Sequence, residues 1–186
     1  MTPADIPEVV RLHQAVMGST FNAWLGPAHL QHLYTLMSAH PECVTLVAVE
    51  DGKITGAVSG TSNLSRFSAD LMRRTPLRAK VKNGLRVLLC PAKIGELLES
   101  FRLQRLVGRS QEQAVLTTMM VQREMHGRGV GRLLFTAFGD ALAARGVRTF
   151  RLDTLLSNSG ARAFYEKMGM TRLGQTRQSI LYGITR

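Results

Sequence analysis

The chain has 186 residues with 24 Lys/Arg against 13 Asp/Glu, a net charge of +11. An apolar share of 45% and a charged share of 20% describe a globular protein with enough chain for a proper core, read most simply as one domain over 1–186. No apolar run reaches membrane-span length, the N-terminus lacks a signal-peptide pattern, and Cys43 and Cys90 stand too far apart for a zinc or redox pair, so a cytoplasmic protein with reduced thiols and no metal is expected.

The first element reads as a helix, with Thr2 as N-cap, Pro3 at its first position and acids in its first turn. Val9, Val10, Leu12 and Val16 supply its buried stripe. A second helix follows Gly26-Pro27 and turns Leu30, Leu33, Tyr34 and Met37 inward. His29, His32 and His40 are scattered around it without ligand spacing, and surface or half-buried places are expected for them. Cys43–Val49 and Ile54–Ser59 then form a hairpin around Asp51-Gly52.

The stretch 64–112 is a helical, basic insertion. It holds eleven Lys/Arg against four Asp/Glu, so seven of the eleven net positive charges sit there. Ile94, Leu97, Leu98 and Phe101 make an amphipathic stripe, and Leu85–Leu89 is an apolar run before Pro91. The first reading is helices packed over the sheet with a solvated basic face. A lid that attracts an anionic small molecule comes next, then a surface for anionic lipid or a second subunit, which leaves a homodimer open. Nucleic acid comes last, because Phe67 and Phe101 are the segment's only aromatics and form no stacking platform.

Val115–Val121 is a strand rich in β-branched and apolar residues, followed by a polar turn and three alternate glycines, Gly127, Gly129 and Gly131. From Val130 the apolar period changes, and Val130, Leu133, Leu134, Phe138 and Leu142 share a helical face that ends before Gly146. A glycine turn feeding a helix leaves several N–H groups unpaired and aimed one way, a site for phosphate oxygens. A nucleotide P-loop would need Gly-Lys-Ser/Thr five residues after Gly127, and none is present. A dinucleotide fingerprint would need glycine where Arg132 stands, although Asp153 occupies the place of a ribose-binding acid. Taken alone, the turn is equally compatible with a purely structural role.

Downstream, Phe150–Leu155 alternates as a strand, and Asn158-Ser159 opens a helix that closes at Gly169. Asn158, Ala161 and Tyr165 fall on one face of that helix. Thr171–Thr176 and Ser179–Thr185 are the closing strands. With these motifs in hand, His126-Gly127-Arg128-Gly129-Val130-Gly131 and Asn158 to Gly169 together, the chain resembles the GNAT superfamily of acyl-CoA N-acyltransferases. His126 stands where the family has Gln or Arg, and Met170 where it has Phe. The resemblance is close from about Val115 to Met170 and weaker from Asp5 to Gly60.

That resemblance implies an α/β fold, a mixed sheet of about six strands flanked by helices. In the family a β-strand precedes the first helix; here the helix comes first, so either the start is internal to a longer product or that edge strand is missing. The resemblance further implies acetyl-CoA as co-substrate, with its pyrophosphate on the turn from His126 to Arg132 and Arg128 and Arg132 as charge partners. The pantetheine arm would pair with the edge of Met119, Met120 and Val121, where a backbone N–H near Met120 would meet the oxyanion. Asn158 would bond the arm, and Tyr165 would protonate the leaving thiolate. The reaction expected is direct transfer of an acetyl group to an amine, on an acceptor such as an anionic small molecule or amino sugar. A CoA-binding module without turnover is the alternative. For the general base, Glu50, Glu112, Glu124 and Asp153 stand as candidates and none is chosen.

Overall fold

A computed structural model describes residues 1–95, 98, 99, 102 and 114–185. In chain order the elements are α1 (Ile6–Met17), α2 (Phe21–Trp24), α3 (Pro27–Ala39), β1 (Cys43–Glu50), β2 (Lys53–Thr61), α4 (Leu64–Arg74), α5 (Leu77–Leu88) and β3 (Val115–Val121). They continue as α6 (Val130–Ala143), β4 (Thr149–Leu155), α7 (Ser159–Lys167), β5 (Thr171–Gln175) and β6 (Ser179–Thr185). The strands make one mixed sheet in the order β1-β2-β3-β4-β6-β5. All neighbours run antiparallel except β3 and β4, which α6 connects as a parallel pair. The expected fold class is the one observed.

The hairpin forms where Asp51-Gly52 placed it. Both residues have positive φ (50° and 74°), the pair of left-handed positions that a tight hairpin requires. Thr2 does meet Asp5, whose Oδ2 accepts from the Thr2 amide at 2.6 Å and the hydroxyl at 3.0 Å. That contact closes a 3-10 turn over Pro3–Asp5, and α1 proper begins only at Ile6.

The sheet has two unlike faces. On one, Leu134, Phe135, Phe138 and Leu142 of α6 pack on Val58, Leu116, Phe150, Leu152 and Tyr182. Leu133 departs from expectation: it is exposed and Phe135 takes the buried place, because the face toward the sheet is centred one residue further along the helix. On the other face, Ile6, Val9, Val10, Leu12, Leu30 and Tyr34 cover Ala57 and Met120. All four residues expected to face inward from α3 are buried, as is His13 of α1, whereas Val16 is more than a third exposed at the helix end.

In the insertion, Phe67 of α4 is buried with Leu33, Met37 and Cys43. The expected stripe is only partly within view: Leu97 and Phe101 lie outside the described residues, Ile94 is half-buried and Leu98 is exposed. Leu85, Leu88 and Leu89 are exposed, so the apolar run turns away from the sheet. Glu99 is buried and accepts from the Gln178 amide at 3.1 Å, which ties the insertion to the turn between β5 and β6.

Candidate active site

The centre of the sheet is open. β3 and β4 share a single register pair, Val115 with Arg151, where the Arg151 amide donates to Ala114 O at 3.0 Å. Beyond that point the two strands part. The cause is visible next door: the β2–β3 register slips between Ser59 and Gly60, so that Thr117 is an extra residue on β3. A bulge of this kind bends its strand and swings its free edge away from the neighbour. Gly60 makes the bulge possible, since a Cβ there would lie 2.3 Å from Val115 O and 2.5 Å from the Phe138 ring.

The opening leaves part of β3 without a partner strand. Gln122 N–H donates to Thr55 O at 2.9 Å. Antiparallel alternation therefore aims the Met120 N–H and C=O at β2 and those of Met119 and Val121 into the opening. The position of Met120 O agrees, 3.0 Å from where a Gly56 Cβ would sit on β2. The N–H groups available to a ligand are thus those of Met119 and Val121, flanking the Met120 that the sequence singled out. His126 Nε2 lies 3.2 Å from Val121 O and donates to it.

At the C-terminal end of the opening lies the glycine turn. Gly127 and Gly129 have φ of 77° and 86°, and at neither would a Cβ meet another atom within 4 Å, so backbone conformation rather than space demands glycine there. Gly129 is the N-cap of α6 and its carbonyl takes the amide of Leu133. The amides of Val130, Gly131 and Arg132 are left for a ligand, at the positive end of a 14-residue helix. On the far side Asn158 caps α7, its Oδ1 accepting from the Ala161 amide at 3.1 Å.

Opening, turn and α7 enclose one cleft of about 760 Å³. Met119, Met120, Val121, His126, Gly127, Gly129, Val130, Gly131, Arg132, Asn158 and Tyr165 all line it. Arg128 does not, since its guanidinium reaches Glu50 at 3.2 Å and the Met125 sulfur at 3.3 Å. Lys167, for which the sequence suggested no role, also lines the cleft. Val16, Met125, Gly160, Ala161, Phe164 and Met168 complete its walls.

Tyr165 is buried against Phe135, Phe164 and Tyr182. Burial, and secondarily the negative charge of Asp153, pushes its hydroxyl up to about 12, so it holds its proton at neutral pH. Asp153 follows Phe150 and Leu152, which are core residues, and alternation puts it on the opposite face of β4, just past the parting of the strands. Solvent reaches its side chain, yet the density of protein around it raises the carboxyl above its usual range, with Arg151 pulling the other way. Of the other acids considered, Glu50 is engaged by Arg128, Glu124 sits exposed in the turn after β3, and Glu112 lies outside the described residues. Among the described residues no group of three or more His, Cys, Asp or Glu is placed to hold a metal ion.

Comparison with known proteins fits this geometry. The family model described as Acetyltransferase (GNAT) family matches residues 9–170. The chain belongs to the GNAT acetyltransferase family. It is accordingly an acyl-CoA-dependent N-acetyltransferase that uses acetyl-CoA as co-substrate. No curated protein sequence matches the chain. Among solved structures it is similar to PaiA N-acetyltransferase from Thermoplasma acidophilum in complex with coenzyme A, at 11% identity and a TM-score of 0.65, covering 100% of this chain and 96% of the other. The structure named SsHAT is 23% identical with a TM-score of 0.74, covering 100% and 95%. The ribosomal-protein-S18-alanine N-acetyltransferase from Escherichia coli is 15% identical with a TM-score of 0.61, covering 100% and 90%. At these identities the likeness is one of fold.

Within this GNAT fold, Asp153 and Lys167 are the residues whose place only the structure gives. Asp153 was one acid among four in the sequence, and nothing in its strand pattern said where β3 and β4 would part. Helical spacing alone sets Lys167 apart from Tyr165, two residues before it, and it reaches the cleft instead on the face of Gly160 and Phe164, which the structure shows to line it.

The described part of the fold also holds a buried polar cluster. His13 Nδ1 lies 2.7 Å from Tyr34 Oη, and Nε2 lies 3.2 Å from Thr20 Oγ1. Thr20 spends its hydroxyl proton on Met17 O at 2.8 Å, so it must accept from His13 Nε2–H. Nδ1 is then left to accept from the Tyr34 hydroxyl. This is the neutral imidazole, and burial depresses the His13 pKa to about 4.

Proposed function

We propose that residues 1–186 act as one N-acyltransferase domain, with 64–112 as an insertion in it, and transfer the acetyl group directly to the amine of a small anionic acceptor. The observation that carries this reading is the parting of β3 and β4 above the free amides of the glycine turn, flanked by Tyr165. A pyrophosphate on the amides of Val130, Gly131 and Arg132, with Arg132 and Lys167 near, would let a peptide-like arm run along Met119 and Val121 as an added strand. His126 would release the Val121 carbonyl or share it with that arm.

In the proposed step, Asp153 takes a proton from the ammonium form of the acceptor, directly or through one water. The free amine attacks the thioester carbon, and the N–H of Met119 or Val121 meets the developing oxyanion. The C–S bond then breaks, and Tyr165 gives its proton to the departing thiolate. One of the two protons left on nitrogen passes, through solvent, to the Tyr165 phenolate as the amide forms, and Asp153 gives its proton up to solvent. One acetyl-CoA and one ammonium acceptor thus yield one amide, one CoA thiol and one proton.

The anionic character of the acceptor rests on charge: a net +11 concentrates anions near the protein, and most of it lies in the insertion that reaches the turn between β5 and β6. Thiol release from acetyl-CoA with amines matched in size but differing in charge tests it. Phosphorylated or carboxylated amines, amino-sugar phosphates included, should give the highest kcat/KM. Equal turnover of neutral and cationic amines would remove the anionic assignment while leaving the acyl transfer intact.

A further inference from the structure

α5 is built backwards for a helix of a globular core. Leu77, Val81, Leu85 and Leu88 recur at spacings of four, four and three, and Leu89 extends the row. This is the pattern of a buried stripe, yet the five are 74%, 62%, 57%, 71% and 76% exposed, and no residue of α5 is buried. The helix is held by its other side. The Arg86 guanidinium donates to Leu25 O at 3.0 Å and lies 5.2 Å from the centre of the Trp24 ring, and Lys93 lies 5.7 Å from the same ring. Those contacts fix the helix with its apolar row turned outward.

The charges around the row point one way. From Leu71 to Gly95 there is no Asp or Glu, while Arg73, Arg74, Arg78, Lys80, Lys82, Arg86 and Lys93 are all cationic. Arg78 and Lys82 flank the row on one side and Lys80 on the other, as the helical spacing requires. A second copy docking through the same face would bring like charges together. An acidic helix of another protein would need a groove to enter, and α5 offers a single convex ridge about 18 Å long, twelve residues at helical rise.

We propose that α5 docks this enzyme on an anionic phospholipid surface, with Leu77, Val81, Leu85, Leu88 and Leu89 among the acyl chains and the Lys/Arg flanks at the headgroup phosphates. The helix lies in the plane of the interface and spans nothing, and among the described residues no helix is long and apolar enough to cross a membrane. The proposal is independent of the acceptor and of the acetyl-transfer chemistry.

Flotation of the full chain with vesicles separates the outcomes. With vesicles in which about one lipid in three is phosphatidylserine the protein floats; with phosphatidylcholine alone it stays below. The double change Val81→Ser/Leu85→Ser lowers the floated fraction about tenfold at constant charge, and Arg78→Gln/Lys82→Gln lowers it several-fold. Acetyl-CoA titration of each variant confirms an intact fold. Binding that is lost with the cations yet unchanged with Ser at 81 and 85 would mean general attraction of a basic protein and would overturn the proposal. So would failure of the parent chain to float on anionic vesicles, or its recovery instead as a stable dimer or with an acidic protein through α5.

Discussion

The carboxylate of Asp153 lies near enough to Tyr165 for its charge to raise the tyrosine hydroxyl, although the two side chains belong to opposite sides of the sheet. Each holds its proton more tightly than usual, Tyr165 mainly through burial and Asp153 through the protein packed around it. In the proposed step these two groups are the proton donor and the proton acceptor. The pairing separates two tasks, because a buried phenol stays protonated where a carboxylate is already ionised.

Tyr165→Phe keeps the ring and its packing and removes only the hydroxyl. The expected result is a fall in kcat of about a hundredfold or more, the range for a general acid, with acetyl-CoA affinity unchanged by titration calorimetry. Equal rates for mutant and parent would end the assigned role.

Asp153→Asn tests the base. In the parent, kcat/KM should fall on the acid side with an apparent pKa above the ordinary Asp range, as the carboxyl takes up a proton. The Asn enzyme should be slower by about a hundredfold at neutral pH and recover as pH rises, because solvent then supplies the free amine. A pH profile that the substitution leaves unchanged would assign proton removal to water alone.

His13 links stability to pH. Its folded pKa of about 4 lies below the unfolded value of 6.5, so the unfolded chain binds the proton first. The stabilising contribution is fully present above pH 6.5 and is lost as pH falls from there toward 4, by up to ~3 kcal/mol. Tm measured between pH 7 and 4 should drop over that window. His13→Leu should flatten that dependence while lowering Tm at pH 7, since the Tyr34 hydroxyl loses its acceptor on the imidazole whereas Thr20 keeps Met17 O.

Two glycines should respond differently to alanine. At Gly60 the new methyl meets a carbonyl at 2.3 Å and an aromatic ring at 2.5 Å, and neither is free to move. Gly60→Ala should therefore destabilise by ~3 kcal/mol or more or abolish folding, read by urea denaturation. At Gly129 the space is open and the cost is conformational, φ being 86°. Gly129→Ala should lose ~1–2 kcal/mol, fold, and bind acetyl-CoA more weakly as the turn shifts.

Local chemistry let much of the molecule be read from its residues. Asp51-Gly52 marks its hairpin, Gly127 and Gly129 their left-handed turn, and Asn158 the start of α7, because each satisfies a backbone demand within a few residues of itself. The amide-rich turn was legible for the same reason, as was the strand and helix on either side of it. Periodicity fixed the inward face of α3 outright and that of α6 to within one residue.

Tertiary structure decided what depends on distant neighbours. Whether β3 and β4 stay together turns on Gly60, more than fifty residues before Thr117, making room for a bulge. Arg128 went to Glu50 rather than the cleft because the β1–β2 turn happens to lie within its reach. The row on α5 has the spacing of a core stripe, and only the way Arg86 meets Trp24 and Leu25 turns it outward. Asp153 became distinct from three other acids once the sheet opened beside it. A sequence specifies what each segment can do alone, whereas the meeting of segments far apart in the chain depends on packing that no local pattern encodes.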